Sequence, residues 1–226
     1  MAGGTGPSFD PGRIARLRGQ VGKPAGGGQR VWAQAGVLIL GFVALLYGIE
    51  VVDSISGSRL QQAGVEPREP DGLWGILWAP VLHDDWSHLI GNTLPVLVLG
   101  FLVLLSGIAR GLAATAIIWV VAGVGTWLIG PDHSVHVGAS SLIFGWLTYL
   151  IARGWFARNI GQILLGLVVF ALYGSALWGV LPGQPGISWQ GHLFGAAGGL
   201  LAGWVLSGDA RRSRRGDQSG IIAQPR

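Results

Sequence analysis

Apolar residues run along this chain in long blocks parted by short polar interruptions. Six blocks can be drawn, approximately Val31–Val52, His88–Leu105, Gly111–Ile129, Ser140–Ala152, Ile160–Leu181 and Gln190–Leu206. Most reach the roughly 20 residues that a helix needs to cross a bilayer. The block that begins at Ser140 falls short. Between the first two blocks, the connector Asp53 to Ser87 holds its own Trp-rich apolar stretch, "GLWGILWAPVLHDDW". It is too short and too interrupted to span, so an interfacial or re-entrant placement is expected. Residues 1–30 are rich in Gly, Pro and Arg, show no apolar periodicity and predict a disordered tail. The first apolar run is full length rather than the short core of a signal peptide.

Composition sharpens this picture. Charged residues are 12% of the chain, about half the share in a soluble domain. Hydrophobic residues reach 50%, mean hydropathy is +0.51 and there are 11 Trp. These values place the chain among all-α polytopic membrane proteins, with one membrane domain over 31–207 and a basic tail over 208–226. The absence of Cys excludes disulfides, a thiol nucleophile and thiolate metal sites.

A pI near 10.3 would fit a nucleic-acid partner, but the distribution of charge explains it otherwise. Six spans put both termini on one side. Of the 15 Lys and Arg, all but Arg59 and Arg68 fall there. Positive charge stays cytoplasmic, so both termini are expected on the cytoplasmic side of the cell membrane. The run "RRSRR" at 211–215 then marks topology after the last span. All five His fall on the outer half of this map, which gathers polar chemistry near one face.

From Ser140 to Arg153 is about 20 Å of helix, against a hydrocarbon core of roughly 30 Å. Ser140 is therefore expected about 10 Å below the outer surface, at a helix start inside the membrane. The preceding "PDHSVHVGA" must descend as irregular backbone, which is tolerated there only when buried in protein or lining a wet cavity. A serine at a helix start is commonly only an N-cap. The sixth block supplies a reason to read more into it. His192 lies in its outer half, and Gly191, Gly195 and Gly199 recur every four residues, a face that lets another backbone approach closely. Together they fit a serine activated by a histidine base.

The acids nearest to His192, namely Asp84, Asp85 and Asp132, fall in predicted loops, so a Ser–His dyad is simpler than a triad. Phe144, four residues after Ser140, shares its helix face and can stack on the imidazole. His88 and Asn92, spaced by four, project from one face and could hold an oxyanion with the Ser140 amide. A metal site from His83, His88 and His192 lacks an intramembrane carboxylate.

"HLIGN", "GASS" heading a short helix and "GHLFGAAGG" on the last one, in this order over roughly Leu73 to Leu206, resemble the rhomboid intramembrane serine proteases. The resemblance implies a six-helix bundle with a membrane-embedded first loop and a short fourth helix. It implies Ser140 as nucleophile, His192 as base, His88 and Asn92 as the oxyanion pair, and supporting roles for Phe144, Gly138, His83 and Gly195. It implies no cofactor, and membrane-protein substrates cut in or near a span. Two positions depart from the family pattern. Ser141 replaces the glycine after the nucleophile, and Gly75 replaces the arginine of a frequent Trp-Arg pair in the first loop. The alternative is a rhomboid-like protein that binds membrane-protein clients without cutting them.

Overall fold

The computed structural model describes residues 26–57, 59–183 and 186–208. Most of both predicted tails (1–25 and 209–226) lies outside these residues. The described chain is helical. Helix α1 covers Gly26–Ile55, starting five residues earlier than the apolar block suggested. The connector holds α2, Gly72–Trp78, extended by a 3₁₀ turn Ala79–Val81. Helix α3 runs Trp86–Leu105, α4 Ile108–Ile129 and α5 Ser140–Ala157. Helix α6, Ile160–Tyr173, continues as a 3₁₀ turn Gly174–Val180, and α7 covers Trp189–Leu206.

Four of these, α1, α3, α4 and α6 with its extension, are long and apolar enough to cross a membrane. Their outward faces carry large apolar side chains, among them Leu40, Leu45, Leu94, Val120, Leu164, Leu167 and Phe170. Such a continuous apolar exterior suits lipid rather than water.

Helix α5 is the axis of the bundle. Every residue from Leu142 to Leu150 is buried, packed by Leu89, Val96 and Leu99 of α3, Ile118 of α4, Val169 of α6 and Ala202 of α7. Its fullest contact is with α7, through a glycine face. A side chain at Gly195 would meet the Ser141 carbonyl at 2.1 Å, and one at Gly199 would meet the Gly145 carbonyl at 2.0 Å. Gly198, one position round, packs instead on the backbone of Ile118 in α4. The face that touches α5 is therefore Gly195, Gly199 and Gly203, one turn further in than the Gly191–Gly199 series read from the sequence. Gly191 packs on the helix's own cap, Ser188.

The fourth long helix is not as short as its apolar block. Arg153 does not end it at a polar surface. The residue is buried, stacks over Tyr149 and bonds Gln162 of α6 at 3.2 Å. The helix runs on to Ala157 and stops where Arg158 turns left-handed at φ 52°. Its 18 residues rise ~27 Å rather than ~20 Å. Ser140 is set back from the end of α4 by where the helix starts. Gly145 abuts Ile118 of the antiparallel α4, and Ser140 shares a small cavity with Ala122, Gly123 and Thr126. From that level to the end of α4 at Ile129 is another ~5–10 Å of helix.

The irregular descent from Gly130 to Ala139 is lined by the connector rather than by lipid. Val65 and His136 form an isolated two-bond bridge at 3.0 and 2.9 Å, and the Gly138 amide donates to the Ala79 carbonyl at 2.8 Å. Helix α2 is itself held on α4 by Trp119, which donates to the Ile76 carbonyl at 2.7 Å. Gly75 explains itself here, since any side chain would strike the Gly64 carbonyl at 1.9 Å. Arg68 does the anchoring instead, pairing with Asp132 and donating to the Leu128 carbonyl at 3.1 Å.

Gly199→Val is expected to lower stability by about 1–3 kcal/mol through overpacking, read as an earlier thermal transition in detergent. Gly36→Ala, which meets nothing within 4 Å, should leave the transition in place. An unchanged Gly199→Val protein would show that the two backbones are not in contact.

Candidate active site

The glycine face sets the first distance. With α5 and α7 in backbone contact at Ser141–Gly195, the residues one and three positions further out are brought together. His192 Nε2 lies 2.9 Å from Ser140 Oγ. On the far side of the ring, His192 Nδ1 is 3.0 Å from the Gly179 carbonyl. A carbonyl can only accept, so Nδ1 carries the proton and Nε2 is left to accept from the serine hydroxyl. Phe144 stacks on the imidazole, centroids 4.0 Å apart and planes within 10°. The ring is thus fixed by a carbonyl at its edge and an aromatic on its face. Both ring nitrogens are engaged, so Ser141 is not drawn into the pair.

Helix α3 brings the next group. Asp85 caps it, accepting from the His88 amide at 2.8 Å and from Ser87 Oγ at 2.6 Å, which fixes where His88 leaves the helix. His88 lies edge-on against Gly138: a side chain there would meet its Cε1 at 2.7 Å and stand 3.7 Å from Ser140 Oγ. Gly138 also has φ +118°, a left-handed backbone that favours glycine. The far nitrogen of His88 faces Asp84 at 3.6 Å. One turn on, Asn92 is buried and its Nδ2 has no partner within the protein. A buried amide donor left open in a pocket that Ser140 also lines is unusual, because such groups normally find partners.

His83 sits beneath this layer. Its ring meets His88 edge-to-face at 5.2 Å, and its Nε2 accepts from the Ala139 amide at 3.4 Å, while its Nδ1 is buried and unpartnered. Burial pushes His83 down to about 4, so it is neutral at neutral pH and can accept that amide. Three of the five histidines, His88, His136 and His192, line one pocket with Ser140, and His83 packs against His88. His133, exposed in the α4–α5 loop, does not join them. That pocket holds about 740 Å³ and is also lined by Asn92, Phe144, Asp84, Asp85 and Trp189.

Several residues of this region were not picked out from the sequence. The Gly179 carbonyl orients His192, but a backbone acceptor leaves no mark in a sequence. Ser188 caps α7, accepting from the Gly191 amide at 3.3 Å; a serine four residues before His192 was a legible cap signal. His136, bonded to Ser188 at 2.7 Å, was counted only as one more outer histidine. Glu50, an acid within the apolar block of α1, was likewise not singled out, and it is 5% exposed.

Comparison with known proteins agrees with the motifs. Residues 70–209 match the rhomboid domain. An uncharacterised protein of Mycobacterium tuberculosis is 51% identical over 191 residues, covering 81% of this chain and 80% of its own. One from Mycobacterium leprae is 45% identical over 197 residues, covering 84% and 78%. YdcA of Bacillus subtilis, named as a candidate rhomboid protease, is 30% identical over 160 residues, 68% of this chain and 74% of its own. The chain belongs to the rhomboid family.

Because His83 is neutral when folded and takes a proton more readily when unfolded, acid works against the fold. The stabilisation is intact above the ordinary imidazole value of 6.5 and is lost as pH falls toward about 4, up to about 3 kcal/mol in all. Thermal unfolding in detergent between pH 7 and 4 should show this loss, and His83→Gln should flatten it. An equal pH dependence in the variant would assign the acid sensitivity elsewhere.

Proposed function

We propose that this rhomboid is an intramembrane serine endopeptidase. The observation that carries the reading is the bond from Ser140 Oγ to His192 Nε2, on an imidazole whose Nδ1 proton is already committed to Gly179. Only that tautomer can serve as a general base toward the serine. All six long helices then cross the cell membrane with both termini cytoplasmic, and α2 lies in the outer leaflet with Leu73, Trp74, Leu77 and Trp78 toward lipid. The exposed Trp32 and Trp155 at one end, and Trp74, Trp78 and Trp178 at the other, suit the two interfaces.

In this mechanism Ser140 Oγ attacks the scissile carbonyl carbon as His192 Nε2 takes the hydroxyl proton. The negative oxygen of the tetrahedral species accepts from Asn92 Nδ2, with His88 and the first amides of α5 beside it. His192 returns the proton to the leaving amine, the peptide C–N bond breaks, and the acyl group stays on Ser140. Water, deprotonated by His192, then attacks the ester and releases the carboxylate, restoring the serine. The substrate is a membrane protein whose span can unwind at its outer end, because a helical carbonyl is tied up in backbone hydrogen bonds. Gly or Pro near the cut would ease this.

The second reading, a rhomboid that binds membrane-protein clients without cutting them, is favoured by Ser141 in place of glycine. Against it, Ser141 lines the small cavity with Thr126 and Ala122 and leaves the Ser140–His192 bond in place.

A fluorophosphonate is expected to label Ser140 in detergent-purified protein. Labelling should vanish in Ser140→Ala and His192→Ala, survive in Ser141→Ala, and slow by about 10²–10³ in Asn92→Ala, the usual cost of one oxyanion donor. Well-folded wild type that takes no label would move the assignment to client binding. Labelling lost only in Ser141→Ala would identify the wrong serine.

A further inference from the structure

The segments that lead into α5 and α7 are also tied to each other, four residues upstream of Ser140 and of His192. His136 Nδ1 lies 2.7 Å from Ser188 Oγ, just as His192 Nε2 lies 2.9 Å from Ser140 Oγ. Both pairs are separated by 52 positions.

The direction of each bond in this upper pair can be assigned. Ser134 Oγ donates to the Pro131 carbonyl at 2.6 Å, so toward His136 Nε2, 3.0 Å away, it must accept. Nε2 therefore carries the proton, and Nδ1 accepts from the Ser188 hydroxyl. Ser188 Oγ meanwhile accepts from the Gly191 amide at 3.3 Å, closing the N-terminus of α7. The chain of bonds thus runs from the cap of α7 through His136 to the loop that leads into α5, with neutral His136 donating once and accepting once. The backbone of His136 is fixed independently by its two bonds to Val65, and its ring is wedged against Gly130, where a side chain would come within 2.9 Å of Nε2.

The glycine face explains why a second tie matters. Glycines set how closely α5 and α7 approach, but with few protruding side chains they offer little resistance to sliding along the axis, and the Thr148 bond to the Ala196 carbonyl holds the pair about two turns along α5 from Ser140 rather than at the site itself. A slide of about 1 Å would open the Ser140–His192 bond and can cost a reaction about 10²-fold.

We propose that His136 is a positioning residue, which staples the loop entering α5 to the Ser188 cap of α7 and holds Ser140 and His192 in axial register. The role rests on the protease reading of that pair, though the geometry it maintains can be measured without catalysis.

The test is fluorophosphonate labelling of the full chain in detergent, with maximal rate and half-saturating probe concentration determined separately. His136→Ala and Ser188→Ala should each lower the maximal rate about tenfold or more while half-saturation stays within about twofold. The double variant should be no slower than the slower single one, because both remove the same bond. His136→Asn, which keeps an acceptor near the position of Nδ1, should recover to within about threefold of wild type. Unchanged rates, additive losses, or an Asn variant no better than Ala would overturn the staple.

Nitrogen-15 spectra of histidine-labelled protein provide the second readout. The His192 ring signals should shift in His136→Ala and return in His136→Asn. If wild type takes no label, the protease reading fails, and these spectra still decide the staple: His192 signals indifferent to residue 136 overturn it.

Discussion

Backbone contact between α5 and α7 is the constraint on which the rest of this structure depends. Gly195 and Gly199 approach the Ser141 and Gly145 carbonyls so closely that no side chain fits between. In lipid there is little hydrophobic gain from pressing two apolar helices together, so packing at short range and polar bonds must hold them. Thr148 shows both at once, donating across the interface to the Ala196 carbonyl at 2.8 Å from beside Gly199. Only at this separation can a short serine side chain on one helix reach an imidazole on the other. A wider, leucine-packed interface would leave Ser140 and His192 several ångströms apart.

The same constraint shapes the surroundings. The segment before Ser140 is not helical, and the chain reaches α5 as irregular backbone from Gly130 to Ala139. Unsatisfied amides and carbonyls at that depth would be costly, and the connector supplies their partners through Val65, Ala79 and His83. The connector must in turn stay put. Its glycines at 64, 72 and 75 allow backbone-to-backbone packing, and Arg68 locks it to Asp132. The glycine at 75, a departure from the family pattern, is thus part of a different solution to the same anchoring problem. Under the protease reading this assembly is what admits water and an unwound peptide to a site within the bilayer.

Helix α6 stands apart from this tightly tied group. It packs on α5 through its inner half, where Gly154 and Gly166 meet backbone, and its other faces carry exposed Leu164, Leu167, Phe170 and Leu172. At its outer end the helix narrows to a 3₁₀ turn, and that turn presents the Gly179 carbonyl to His192. The least enclosed element of the bundle therefore holds the tautomer of its most important ring.

Much of this protein was determined by its sequence alone. Among the described residues, each apolar block coincides with a helix longer than α2 to within five residues, counting the 3₁₀ extension of α6, because the requirement for continuous internal hydrogen bonding in lipid leaves helices as nearly the only choice. The i, i+4 spacings of His88 with Asn92 and of Ser140 with Phe144 placed each pair on one face, since helical geometry is local. What the sequence left undetermined depends on relations between segments. The C-terminal end of α5 depends on Arg153 finding Gln162 and Tyr149 rather than water. The recess of Ser140 came from the level at which α5 meets α4, and the glycine face shifted by a turn because its register depends on the partner helix. The orientation of His192 rests on a backbone carbonyl, and the His136–Ser188 bond on two loops that meet only when the bundle is closed. Composition and periodicity record what each segment prefers on its own; distances between segments exist only after they pack.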